Sequence, residues 1–149
     1  MNEIKNTKPR NVRRLTLTLF AILGMSLVTY AQSDKAAVEA TLMDYMEGTS
    51  KGQVARIKRA FTETAALYSV NPDGTQKRLP IAEYIGYFKE GQARDRVGKI
   101  VSIDIVNNAA HAKVEIISGN TKFTDYMLLL KLKDGWKIIN KSFTREAIR

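Results

Sequence analysis

VGKIVSIDIVNNAAHAKVEIISGNTKFTDYMLLLKLKDGWKIINKSF, residues 97–143, reads as four strands joined by three tight turns. The pairs Asn107-Asn108, Gly119-Asn120 and Asp134-Gly135 each suit a two-residue hairpin loop, because Asn, Asp and Gly tolerate the positive φ such loops require. Four consecutive strands so joined form an antiparallel meander. Helical patterns precede it, so the expected class is α+β, with the helices covering one face of the sheet.

Upstream, Val38, Thr41, Leu42, Tyr45 and Met46 recur at a helical period after an N-cap expected at Ser33 or Asp34, and Gly48 is expected to end that helix. Val54, Ile57 and Phe61 suggest a second, short helix with Arg56, Lys58 and Arg59 facing water. Residues 65–70 read as a strand, and Asn71-Pro72-Asp73-Gly74 turns it back into Gln76 to Leu79. Pro80 suits the first position of a third helix bearing Ile81, Tyr84, Ile85 and Phe88, closed by Gly91.

Residues 1–31 differ from the rest. Lys5, Lys8, Arg10, Arg13 and Arg14 stand against the single acid Glu3, and no charge occurs from Leu15 to Gln32. This is the pattern of a signal peptide, with cleavage expected after Ala31, so the expected organisation is 1–31 leader and 32–149 domain, periplasmic or secreted. A membrane contact is expected only through an uncleaved leader. The net charge of +9 includes +4 from these residues, leaving a scattered +5 for the domain and little case for nucleic-acid binding. The chain has no cysteine and one histidine, which argues against disulfides, thiol chemistry and a dedicated zinc site; no cofactor is expected.

Counting partners from three true two-residue turns sorts the strands onto two faces. One collects Val101, Ile103, Ile105, Ala110, Ala112, Val114 and Ile116, and continues through Phe123, Asp125, Met127 and Leu129 to Trp136, Ile138, Asn140, Ser142 and Thr144. It is the apolar, helix-covered side. The other carries His111 opposite Asp104, and a patch of Tyr126, Leu128, Leu130, Ile139 and Phe143 suited to a homodimer interface.

Asp125 stands out, because carboxylates are rarely placed on an inner face without a partner or a purpose. Opposite Thr144 and beside Asn140, Ser142, Met127 and Trp136, with Tyr45, Tyr68 and Tyr84 reaching in from outside the meander, it outlines a pocket for a small apolar or carbonyl-bearing ligand. The alternative is structural: Asp125 pairs with a nearby Arg or Lys, or caps loop backbone at the sheet end.

Phe123-Thr124-Asp125-Tyr126 leading into Leu128-Leu129-Leu130-Lys131, then Asp134 to Lys141 and Phe143, resembles the C-terminal signature of the putative lumazine-binding family, within the nuclear transport factor 2-like superfamily that includes ketosteroid isomerase-like enzymes. The resemblance spans roughly Ala36 to Glu146. It implies a cone-shaped fold, three N-terminal helices packed on a curved, mostly antiparallel sheet, commonly dimeric through the outer sheet face, and says little about activity. It also implies a histidine where this chain has Thr144, which weakens the equipment for acid–base work. Three readings stay open: a small-molecule-binding domain, an isomerase or dehydratase using Asp125 as general base with a tyrosine polarising a carbonyl, and a non-catalytic protein-interaction module.

Overall fold

The computed structural model describes residues 33–148; the expected leader and the expected cleavage after Ala31 lie outside them. In chain order the elements are α1 (33–51), α2 (Val54–Ala60), β1 (Phe61–Val70), β2 (Gln76–Pro80), α3 (Ile81–Gly86), β3 (Arg96–Val106), β4 (Ala109–Ser118), β5 (Thr121–Leu132) and β6 (Gly135–Ala147). The strands form one open sheet in the order β2-β1-β6-β5-β4-β3. Every neighbouring pair is antiparallel except β1 and β6. The expected α+β class, meander and N-terminal hairpin are all present.

Alternation explains the core. Ala110, Ala112, Val114 and Ile116 of β4 and Met127 and Leu129 of β5 are buried under Val38, Leu42, Tyr45 and Met46 of α1, joined by Ile57, Ile81 and Tyr84. Full burial of each large aliphatic side chain contributes about 1.5–3 kcal/mol.

Several expected boundaries move. Ser33 and Asp34 already lie within α1. The Asp34 carboxylate serves tertiary structure, accepting from Lys131 Nζ (2.6 Å) and Trp136 Nε1 (3.2 Å). Gly48 does not end the helix. It lets α2 approach, since a Cβ there would stand 2.8 Å from Ile57 Cγ1, and the helix stops at Gly52, whose φ of +64° breaks it. Arg56 is not left to water: its guanidinium binds Asp44 (2.8 Å) and Glu47, tying α2 to α1. Phe61 opens β1 instead of closing α2, Pro80 ends β2 and caps α3, and α3 stops at Gly86, short of Gly91.

Two irregularities correct the expected faces. A bulge between Ile100 and Ser102 puts Val101 outside and Ile100 inside, while Ile103 and Ile105 keep the inner face. In the last hairpin the loop is Lys133-Asp134, because Leu132 pairs with Gly135, whose φ is +107°. A second bulge leaves Ile139 without a partner, since Leu129 faces Ile138 while Leu128 faces Asn140. Beyond it the strand's phase is reversed. Asp125 lies opposite Phe143, not Thr144, and the inward residues of β6 are Lys141 and Phe143.

Candidate functional site

The middle of the inner face holds three polar side chains in mutual contact. Tyr45 comes from α1, Asp125 from β5 and Lys141 from β6, and Asp125 and Lys141 are 0% and 3% exposed. Tyr45 donates its hydroxyl hydrogen to Asp125 Oδ2 (2.7 Å), and Lys141 Nζ donates to both Asp125 Oδ2 (3.1 Å) and Tyr45 Oη (2.9 Å). The ammonium also faces the rings of Phe143, Tyr45 and Tyr84, 4.8, 5.0 and 5.3 Å from their centroids. A buried charge is tolerated only when paired and hydrogen-bonded, and here one cation pairs with one carboxylate, through Oδ2, inside an aromatic cage. Burial, reinforced by the charge of Asp125, holds the Tyr45 hydroxyl well above its ordinary 10.0. Tyr45 is therefore a donor at every physiological pH.

The triad backs onto a cleft of about 290 Å³ between the sheet, α3 and the segment after it. Lys141 is the one triad member that lines it; Asp125 and Tyr45 do not. Aromatic rings of Tyr84, Phe88, Phe123 and Phe143 form much of the wall, with Tyr84 and Phe88 in edge contact (5.1 Å). The Tyr84 hydroxyl and Arg96 Nε, both on lining residues, are buried and have no hydrogen-bond partner among the described residues.

The expected site residues divide accordingly. Asp125, Tyr45 and Tyr84 meet at this place. Met127 is buried on the same face but does not line the cleft, and Trp136 is packed away from it, bonded to Asp34. Asn140 and Ser142 face Leu128 and Tyr126 on the opposite side of the sheet, with Thr144 in the same phase, and Tyr68 pairs with Ser142 there. The reversed phase of β6 accounts for Asn140, Ser142 and Thr144, and the alternation of β1 beside the buried Leu67 turns Tyr68 outward. It also takes Phe143 out of the expected outer patch and into the cleft wall, while Tyr126, Leu128 and Leu130 keep the outer face and Ile139 sits in the bulge. His111 is exposed opposite Asp104, as expected, and stacks on Tyr126 (6.1 Å).

The reading missed Lys141, Arg96 and the aromatic cage. Ile138 and Phe143 are both large and apolar yet an odd number of residues apart, so a regular strand puts them on opposite faces. Only a bulge between them brings both inside, and its position at Ile139 is what turns Lys141 inward.

The family described as "Putative lumazine-binding" matches residues 33–144. No curated protein matches the chain. Among solved structures, the chain is similar to a nuclear transport factor 2-like protein of unknown function from Methylobacillus flagellatus, with 31% identity over 77% of this chain and 94% of that one and a TM-score of 0.67. A nuclear transport factor 2-like protein of unknown function from Shewanella baltica is similar at 26% identity, covering 78% of this chain and 96% of that one, with a TM-score of 0.69. A ketosteroid isomerase-like protein from Erwinia carotovora atroseptica shares the fold at 12% identity, covering 75% and 95%, with a TM-score of 0.57. The chain belongs to the putative lumazine-binding family of the nuclear transport factor 2-like superfamily.

Proposed function

We propose that this is an exported, dimeric binding domain that holds a small organic molecule in the cleft beside Lys141 and breaks no bond in it. The observation that carries the reading is the division of labour around Asp125. Its Oδ2 accepts two internal hydrogen bonds, its Oδ1 is buried without a partner among the described residues, and neither lines the cleft. A general base must come within hydrogen-bond reach of the proton it takes, and this carboxylate is walled off by its own partners. It serves to hold Lys141 in place. What faces the cleft is an aromatic wall with a few convergent polar groups, the usual character of a ligand site, at the small end of the roughly 300–1,000 Å³ range.

Export rests on the basic-then-apolar leader, and dimerisation on the outer patch. There Tyr126 and Leu128 are 42% and 49% exposed on neighbouring positions of one strand face. A symmetric partner covers such a patch with the same surface of a second copy.

The test is native mass spectrometry of the purified protein, recording mass and bound small molecules together, alongside a Leu79→Trp variant that fills the cleft. The expected result is a dimer carrying a small molecule that the variant lacks while keeping its circular dichroism. A protein that carries nothing, and whose Tyr84 and Phe143 resonances no small-molecule panel shifts, ends the binding reading.

A further inference from the structure

The cleft has a sign. Among the described residues five basic side chains line it, Lys77, Arg94, Arg96, Lys141 and Arg145, and no carboxylate does. Lys141 is neutralised by Asp125. Among the described residues the other four form no ion pair, although Arg56 and Arg59 elsewhere in the chain are fully paired.

Two of these cations are fixed in place by aromatic rings. The Arg94 guanidinium lies 4.5 Å from the Phe88 centroid and donates to the Tyr87 carbonyl. Its backbone N–H donates to Ser50 O (2.7 Å), which ties this segment to the end of α1. Arg96 lies 5.8 Å from the Phe123 centroid, at the start of β3. A guanidinium stacked on a ring keeps its N–H edge free while giving up much of its rotamer freedom, so it is prepared for an oxyanion before one arrives. The buried Tyr84 hydroxyl and Arg96 Nε supply two donors with no partner of their own among the described residues. Leu67, Leu79 and Phe143 form an apolar surface beside them.

Resting on the binding reading above, we infer that the ligand is an organic oxyanion with an apolar body, its charged group read by Arg96, Arg94 and the Tyr84 hydroxyl and its body laid against Phe143 and Leu79. Lys77, Arg94 and Arg145 reach water, but a neutral ligand would leave the half-buried Arg96, with its buried Nε, facing no counter-charge. An inorganic anion would leave the apolar wall unused.

Four probes separate these cases by titration calorimetry and by shifts of cleft resonances: benzoate, phenyl phosphate, benzamide and inorganic phosphate. The expected result is that benzoate or phenyl phosphate binds at least about tenfold more tightly than benzamide and inorganic phosphate, as charge-assisted bonds to Arg require; the better of the two identifies the head group. Arg96→Gln should abolish that preference, and the affinity should fall as ionic strength rises from about 50 mM to about 300 mM. Benzamide binding as tightly as benzoate overturns the anion assignment and leaves the cleft intact as a site. Inorganic phosphate binding as tightly as phenyl phosphate overturns the apolar body. If no probe moves a cleft resonance, the anion assignment falls together with the binding reading.

Discussion

Lys141→Met keeps most of the side chain's volume and removes an ammonium that stands 3.1 Å from Asp125 Oδ2. At an effective dielectric of about 20, that separation corresponds to about 5 kcal/mol of attraction. Removing one member of a buried pair costs about 3–5 kcal/mol, because the other charge is left where water cannot reach it. Asp125 has no exposed surface, which places it in that class, but the Tyr45 hydroxyl continues to donate to it. The expected loss is therefore about 3 kcal/mol, the lower end of the range. With a urea slope of about 2 kcal/mol per M, the midpoint followed by far-ultraviolet circular dichroism drops by about 1.5 M. Combining Asp125→Asn with Lys141→Met removes both charges, and the pair of changes together should cost much less than the sum of the two alone. A loss below about 1 kcal/mol for Lys141→Met, the range of exposed pairs, would refute the reasoning, as would full additivity in the double variant.

Gly52 combines a φ of +64° with a Cβ position 2.5 Å from the Gln92 carbonyl oxygen, so Gly52→Ala should cost at least about 1–3 kcal/mol and weaken benzoate binding by displacing the segment that carries Arg94; unchanged affinity and stability would contradict this. Asp34, Asp44, Glu47, Asp73 and Glu115 are all held below their ordinary values, chiefly by hydrogen bonds from Lys131, Arg59, Lys51, Thr75 and Lys99 respectively. A lowered carboxylate stabilises the fold above its unfolded value and ceases to as pH falls through the folded one, so the thermal midpoint should fall between about pH 5 and pH 2, and a midpoint that rises on acidification counts against these contacts. Leu128→Lys, at the centre of the outer patch, should convert a dimer to a monomer in sedimentation velocity with its circular dichroism unchanged; a dimer that persists places the interface elsewhere.

The fold was legible because its signals are local. Alternation along β4 and β5, helical spacing along α1 and the turn pairs at Asn107-Asn108 and Gly119-Asn120 each act over a few residues, and the structure keeps them. The position of Asp125 on the inner face followed from the same alternation. Its partners did not, because they depend on counting through the last hairpin. There Asp134-Gly135 was read as the two loop residues, whereas Gly135 is the first residue of β6 and uses its positive φ to enter the strand. The bulge at Ile139 then added an odd residue. In a structure with a period of two, one residue decides whether a side chain is inside or outside, so Asn140, Ser142 and Thr144 changed places with Lys141 and Phe143. Asp125 does pair with a cation, Lys141. The basic lining could not be read at all, since Lys77, Arg94 and Arg145 come from three separate segments that only the folded sheet and loops bring together.

The strand order has a consequence for how the chain is made. The last strand in sequence, β6, lies between β1 and β5, and the parallel pair joins Phe61 to Ile138. Until β6 is synthesised, the β1–β2 hairpin and the β3–β4–β5 meander have no edge in common, and α1 has only part of the surface it must cover. Pairings this distant in sequence close slowly. A nascent chain of this design cannot close its sheet, or finish the surface that α1 covers, before β6 has been made.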